Sequence, residues 1–324
     1  MERIMKSPFA VLLIAAISLC YGVAAAQTYP SSPVRVIVGF SPGGAADVVG
    51  RLIANELSAR MGQQFVVDNR AGAGGTIGAE IAARAKPDGY TLMVFTSALT
   101  ISPSLLKLRY DTVKDFAPIS KMTTGVSALV VHPSIPAKSM KEFIALAKKN
   151  PGKIDFAGSA AGSFTNLAIE MFGMLAGVDI MLVGYKASGA ALADLVGGHT
   201  QASVITLSAV MPHIRSGRLR LLGISSAKRS ALFPEAPTFA EAGLPGYEAA
   251  SWFGMVAPGG TPEPIVDRLN RELSAVLTSA EMKKRLLDLG AEVDHTGPAE
   301  FGPFIAAEIA KWAKVIKQAK IKAR

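Results

Sequence analysis

The sequence predicts an α/β fold of two lobes, each a mixed, mainly parallel sheet flanked by helices. Three observations carry that prediction. From Val34 onward, short β-branched runs alternate with stretches whose apolar residues recur at helical spacing. A glycine-rich joint between strand and helix occurs twice, at Phe40-Ser41-Pro42-Gly43-Gly44-Ala45-Ala46-Asp47 and at Gly158-Ser159-Ala160-Ala161-Gly162-Ser163. Half of the 324 residues are apolar, enough for two ordinary cores and too many for a disordered chain.

Residues 1–26 read as an export leader: Arg3 and Lys6 supply a basic start, Phe9 to Leu19 an apolar run, and Ala24-Ala25-Ala26 a small-residue cleavage site before Gln27. The apolar run falls short of the roughly 20 residues a membrane span needs. The expectation is an exported chain. Cys20 is the one cysteine and lies in the leader, so the mature protein is expected to hold neither disulfides nor thiolate metal sites. The net charge is +9, with basic residues spread along the chain, the densest groups being Arg215 to Arg229 and the lysines from Lys311 onward. Both groups read as solvated faces. No basic arm interleaved with aromatics occurs, so no nucleic-acid partner is expected, while surplus positive charge favours capture of small anions.

Val34 to Phe40 forms a strand bounded by Pro33 and Pro42, and Val48, Val49, Leu52, Ile53 and Leu57 then recur on one helix face. At the joint, Gly43 and Gly44 permit positive φ and close approach of a ligand, and the first helical amides have no partner within the helix. Such amides, at the positive end of the helix dipole, suit a carboxylate or phosphate. Equally, the glycines can simply allow a tight turn while Asp47 caps or complements the helix start. Phe65 to Asn69 reads as a strand, Ile77 to Ala85 as a helix, and Pro87-Asp88-Gly89 turns into a strand over Tyr90 to Phe95. This βαβαβ order predicts a parallel sheet whose ligand rim holds the first joint and Thr96-Ser97-Ala98. The pattern repeats with strands at Ala128 to Val131, Ile154 to Ala157, Ile180 to Val183, Ser203 to Thr206 and Leu219 to Ile224. Between them lie helices at Met140 to Lys149, Phe164 to Leu175, Ala190 to Val196 and Ala209 to Ser216. Trp252 to Ala257 adds a strand, followed by helices at Pro264 to Leu277, Glu281 to Leu289 and Phe301 to Lys320. Residues 27–125 and 250–324 are assigned to one lobe and 126–249 to the other, with a ligand cleft between the two joints.

Other chemistry finds little support. Gly72-Ala73-Gly74-Gly75-Thr76-Ile77-Gly78 follows a strand and opens a helix, yet the next strand ends Val94-Phe95-Thr96 without the acidic residue a dinucleotide site uses. His132, His199, His213 and His295 show no H-E-x-x-H spacing, and Ser159 and Ser163 do not fit G-x-S-x-G. The chain is therefore expected to be no enzyme and to carry no metal or cofactor. Met171, Phe172 and Met174 read as core.

A family resemblance rests on many ordered motifs: Pro33-Val34-Arg35-Val36-Ile37-Val38 into Phe40-Ser41-Pro42-Gly43-Gly44-x-x-Asp47, then Asp68-Asn69-Arg70-x-Gly72-Ala73-Gly74-Gly75, then Pro87-Asp88-Gly89-Tyr90-Thr91-Leu92. Further along come Tyr185-Lys186, Asp194-Leu195-x-Gly197-Gly198, Pro212-His213-Ile214, Ala236-Pro237-Thr238-x-x-Glu241-Ala242-Gly243 and Trp252-Phe253-Gly254. The chain resembles the Bug family, periplasmic substrate-binding proteins of tripartite tricarboxylate transporters. That resemblance implies a type II-like Venus flytrap in the periplasm, a monomer without catalytic activity. It also implies a small organic acid as ligand and a membrane transporter, or alternatively a sensor subunit, as partner. By position, the acid would be held by Phe40, Ser41, Pro42, Gly43, Gly44, Ala45 and Asp47, largely through backbone groups and water. Ser97 and Ala98 stand on the same rim. Ser159, Ala160, Ala161, Gly162, Ser163 and Asn166 form the facing loop. Tyr185 and Lys186 match a pair near the cleft, Lys186 being equally open to a solvent-facing reading. Ala161 stands where many relatives carry Asn, Asn166 where they carry His, and Ile205 where they often carry Asp. Fewer polar groups at the distal end imply a monocarboxylate with an apolar or aromatic remainder, because a second charge would be desolvated without a partner.

Overall fold

A computed structural model describes residues 29–158, 163–185, 188–226, 228–230, 233–247, 249–319 and 321. The expected leader and its cleavage point lie outside them. Among the described residues, eleven strands form two sheets. The first is built on β1 (Val34–Val38), whose β-branched residues are covered on both faces. It pairs in parallel with β2 (Phe65–Asn69) and β3 (Thr91–Thr96), the connections carrying α1 (Ala45–Met61) and α2 (Thr76–Ala83). A short helix, α3 (Ser97–Ile101), follows β3 directly. β4 (Phe116–Gly125), β10 (Ser251–Pro258) and β11 (Ala291–Thr296) complete the order β11-β4-β10-β3-β1-β2.

The second sheet comprises β5 (Ser127–Val131), β6 (Asp155–Gly158), β7 (Met181–Gly184), β8 (Ala202–Thr206) and β9 (Arg220–Ile224), in the order β7-β6-β8-β5-β9. Its helices are α4 (Met140–Lys149), α5 (Phe164–Ala176), α6 (Ser188–Val196) and α7 (Leu207–Arg215). The pairings make both sheets mixed: β10 and β11 run against the other four strands of the first, and β5 against the other four of the second. The chain crosses between sheets twice. Val126 alone separates β4 from β5, and the return enters β10 at Ser251, which is paired with Gly125, so the two crossings lie side by side.

Alternate strand residues face opposite cores. In the first lobe Val36, Val38, Leu92, Val94 and Met255 pack with Ile53 and Leu57 of α1 and with Leu269 and Leu273 of α8 (Glu263–Thr278). Helix α9 (Ala280–Asp288) adds Met282 and Leu286 to that face. Ile37, Met93, Phe95 and Trp252 face the other way, onto Phe301 and Ile305 of α10 (Pro298–Gln318). The second lobe has Leu129, Phe156, Phe172 and Leu222 on one face and Ala128, Val130, Leu195 and Ile205 on the other. Helix α10 serves both lobes, because Trp312, Val315 and Ile316 lie in the second lobe's core.

Strands β4 and β11 were not foreseen. β4 contains Pro118, Ser120, Lys121 and two threonines, and the ladder with β10 shifts register beside Pro118, where no amide is available. β11 is a polar edge strand, held where Lys121 and Thr124 both donate to Asp294, each at 2.5 Å. No helix among the described residues is long and apolar enough to cross a membrane.

Candidate functional site

The first joint leaves β1 at Val38 and enters α1 at Ala45, with Ser41 to Ala45 exposed. Gly43 has φ +81°, which favours glycine, whereas Gly44 is extended at φ −74° and ψ 163°. Gly44 donates weakly to the Ser41 carbonyl at 3.3 Å and caps α1 with no side chain, so the amides of Ala45, Ala46 and Asp47 are left to whatever occupies the rim. A hydrogen bond to a charged partner contributes about 1.5–3 kcal/mol, against about 0.3–1 kcal/mol for the helix dipole at an exposed site. Amide hydrogen bonds would therefore dominate anion capture.

Asp47 does a different job from direct contact with an anion. The residue is 3 % exposed and its side chain is turned back into the joint. Oδ2 accepts from the Gly43 amide at 2.9 Å and from Arg51 Nε at 3.1 Å, and Oδ1 accepts from Asn69 Nδ2 at 2.8 Å. Burial alone would raise its pKa, but the bonds from Arg51, Gly43 and Asn69 outweigh burial and hold it below the usual carboxylate range. The carboxylate braces the turn and its charge is neutralised by Arg51. Asn69 also donates to the Phe40 carbonyl at 3.0 Å and accepts from Arg51 at 2.9 Å. Sequence reading missed Asn69 and Arg51 as parts of the site; the parallel register that sets Val38 beside Asn69 brings them in.

The second glycine run braces the same turn from below. Residues 73–75 form a short 3-10 turn, and a β-carbon on Gly39 would stand 2.8 Å from the Gly75 backbone. Gly75 in turn lies under the Phe40 ring and Leu99 of α3. Gly39 and Gly75 thus pack backbone on backbone, a contact only glycine allows.

Thr96 ends β3, with Ser97 and Ala98 opening α3. Ser97 is buried and its carbonyl accepts from Thr100 at 2.7 Å; the Ala98 carbonyl accepts from Ser102 at 3.0 Å. Thr96 and Thr123 flank Phe253 across the sheet, and both hydroxyls are buried without a hydrogen-bond partner among the described residues. Thr96 was expected on this rim; Thr123, on a strand the sequence did not show, was not.

Across the seam, Ser159, Ala160, Ala161, Gly162 and Lys186 lie outside the described residues. Ser163 caps α5, accepting from the Asn166 amide at 3.3 Å. Asn166 is 4 % exposed and its Oδ1, packed over Gly158, lacks a hydrogen-bond partner among the described residues. Helix α3 touches α5, so the rim residues Ser97 and Ala98 sit on the helix that meets the one bearing Asn166. Ile205 is buried and Tyr185 is half-buried. The Tyr185 hydroxyl donates to Asp194 at 2.7 Å, which pushes its pKa up to about 12, and Ile205 is buried with Ala128, Ala157, Leu195 and Leu207. The polar tip of Tyr185 is thus paired within the second lobe.

The tripartite tricarboxylate transporter family receptor model matches residues 49–321. Protein BugT of Bordetella pertussis is 40% identical over 296 residues, 90% of this chain and 91% of that protein. Among solved structures, an R. palustris protein with adipate aligns at TM-score 0.76 and 37% identity, covering 91% of this chain and 100% of its own. MatC from Rhodopseudomonas palustris, with bound malate, aligns at TM-score 0.71 and 33% identity, covering 89% and 100%.

Proposed function

The chain belongs to the tripartite tricarboxylate transporter receptor family, and from that premise we propose that it captures an organic carboxylate between its lobes for delivery to a transporter of that type. As in that family, it is a solute-binding protein and not an enzyme. The observation that carries the reading is the first joint: an exposed turn from Ser41 to Ala45 leading into amides at the start of α1 that no side chain caps, with the Asp47 carboxylate turned away and neutralised. An anion there meets donors and no repelling charge.

The acid we propose has one carboxylate and an apolar or aromatic remainder. Support comes from the second lobe, where Asn166 is uncharged and the Tyr185 hydroxyl is taken by Asp194. A second carboxylate would leave water for neutral or occupied groups. Adipate and malate, the acids in the two R. palustris structures, are therefore the right competitors. Calorimetry on the chain from Gln27, with benzoate, hexanoate, adipate and malate, is expected to show the monoacids binding more tightly. Binding of the diacids with silent monoacids would overturn the ligand class. Silence of all small carboxylates, or recovery of a chemically altered acid, would overturn the function.

A further inference from the structure

One buried carboxylate stands across the seam between the lobes and belongs to neither anion loop. Glu308 of α10 is 5 % exposed. Its Oε2 accepts from Trp252 Nε1 at 3.1 Å and from Trp312 Nε1 at 3.2 Å, while the Lys311 ammonium bonds Oε1. The two indoles serve different lobes. Trp252 lies on β10, stacked on Phe95 with centroids 6.1 Å apart and edge-on to Phe301 at 5.6 Å. Trp312 lies in the second lobe's core with Leu167 and Phe172, and its ring meets Phe164 edge-on at 5.9 Å. Phe164 is the first residue of α5, next to the capping Ser163 and two positions before Asn166.

We propose that Glu308 is a positioning residue for the second-lobe side of the ligand site: by fixing Trp312 against Phe164, it sets where the first turn of α5 stands relative to the first lobe. A carboxylate oxygen has lone pairs for two donors, so a single atom ties both indoles to one point. Neither ring can slide without leaving a buried N–H unpaired, which proteins rarely tolerate. Trp312 then passes that fixed position to Phe164 by ring contact, in the packed interior where small shifts are transmitted. The inference deepens the solute-binding reading, and its affinity arm rests on that reading; its exchange arm does not.

The test uses Glu308→Gln and Trp312→Phe. The first keeps an oxygen for the indoles but turns an amide donor against Lys311; the second keeps a ring against Phe164 but deletes the N–H. In the ligand-free protein, amide hydrogen exchange over residues 163–168 should speed up about tenfold in both variants while residues 34–61 stay unchanged, since local opening reports local restraint. With whichever acid the wild type binds, affinity should fall about tenfold, mostly through faster release. Uniform acceleration across both lobes would assign Glu308 a general stabilising role and overturn the proposal, as would unchanged exchange at the start of α5. If no acid binds the wild type, the solute-binding reading fails and the exchange result still decides the role of Glu308.

Discussion

At Gly44 the backbone is extended, with φ −74°, a conformation valine adopts without strain. Gly44→Val is thus a steric test: its new β-carbon would sit 3.3 Å from the Ser41 carbonyl, and its methyl groups would cover the amides of the first turn. Binding of the acid should fall at least about a hundredfold, as for lost contacts worth about 3 kcal/mol or more, while stability drops only by what a poorer N-cap costs, about 0.5–1 kcal/mol; retained affinity would move the anion off this turn. Asp47 makes the complementary case. Asp47→Asn loses the charge partner of half-exposed Arg51 and weakens the acceptor for Gly43, so stability should drop by about 1–2 kcal/mol in urea unfolding. Its folded pKa lies below the ordinary 3.8, so its stabilisation is fully present above that value and is lost as pH falls through the depressed pKa. The asparagine variant should show a flatter loss of melting temperature over that acid range, and an unchanged acid limb would remove Asp47 as a brace.

Elements differ in how far the sequence alone could place them. β1, α1 and the joint between them were legible because β-branched period, helical period and glycines all agree at Val34 to Leu57. β11 was not, since Glu292, Asp294 and His295 look like loop residues until Lys121 is seen beneath them. Lys121 is 9 % exposed, bonded to Asp294 and 4.1 Å over the Phe304 ring. Asp294→Ala should release that edge strand and strand a buried ammonium, at roughly 1–3 kcal/mol in urea unfolding; a change within about 0.5 kcal/mol, the usual surface value, would make the pair ornamental. The glycine run from Gly72 meets Gly39 through Gly75, 36 positions away, a contact that spacing cannot reveal. Similarly, Asn69 was visible as part of a motif, but its bond to the Phe40 carbonyl depends on strand register.

In the whole molecule, two features decide how a ligand would be taken. The crossings at Val126 and Ser251 are adjacent, and Ser127 and Ser225 exchange hydrogen bonds at 2.8 Å beside them. Two neighbouring crossings have the form of a hinge, and α10, packed into both cores with Glu308 bonded to an indole of each lobe, restrains rotation about it. The net charge of +9 acts at longer range. Spread over the surface, it can draw an organic anion inward before any amide is met, and the effect fades as the Debye length shrinks from about 30 Å at 0.01 M salt to about 8 Å at 0.15 M. Stopped-flow binding should therefore show an association rate that falls several-fold across that range, with a dissociation rate nearly constant because release is governed by the screened, closed contacts. A salt effect on dissociation alone would place the important charge inside the cleft, on a side chain, and not in the field of the whole protein.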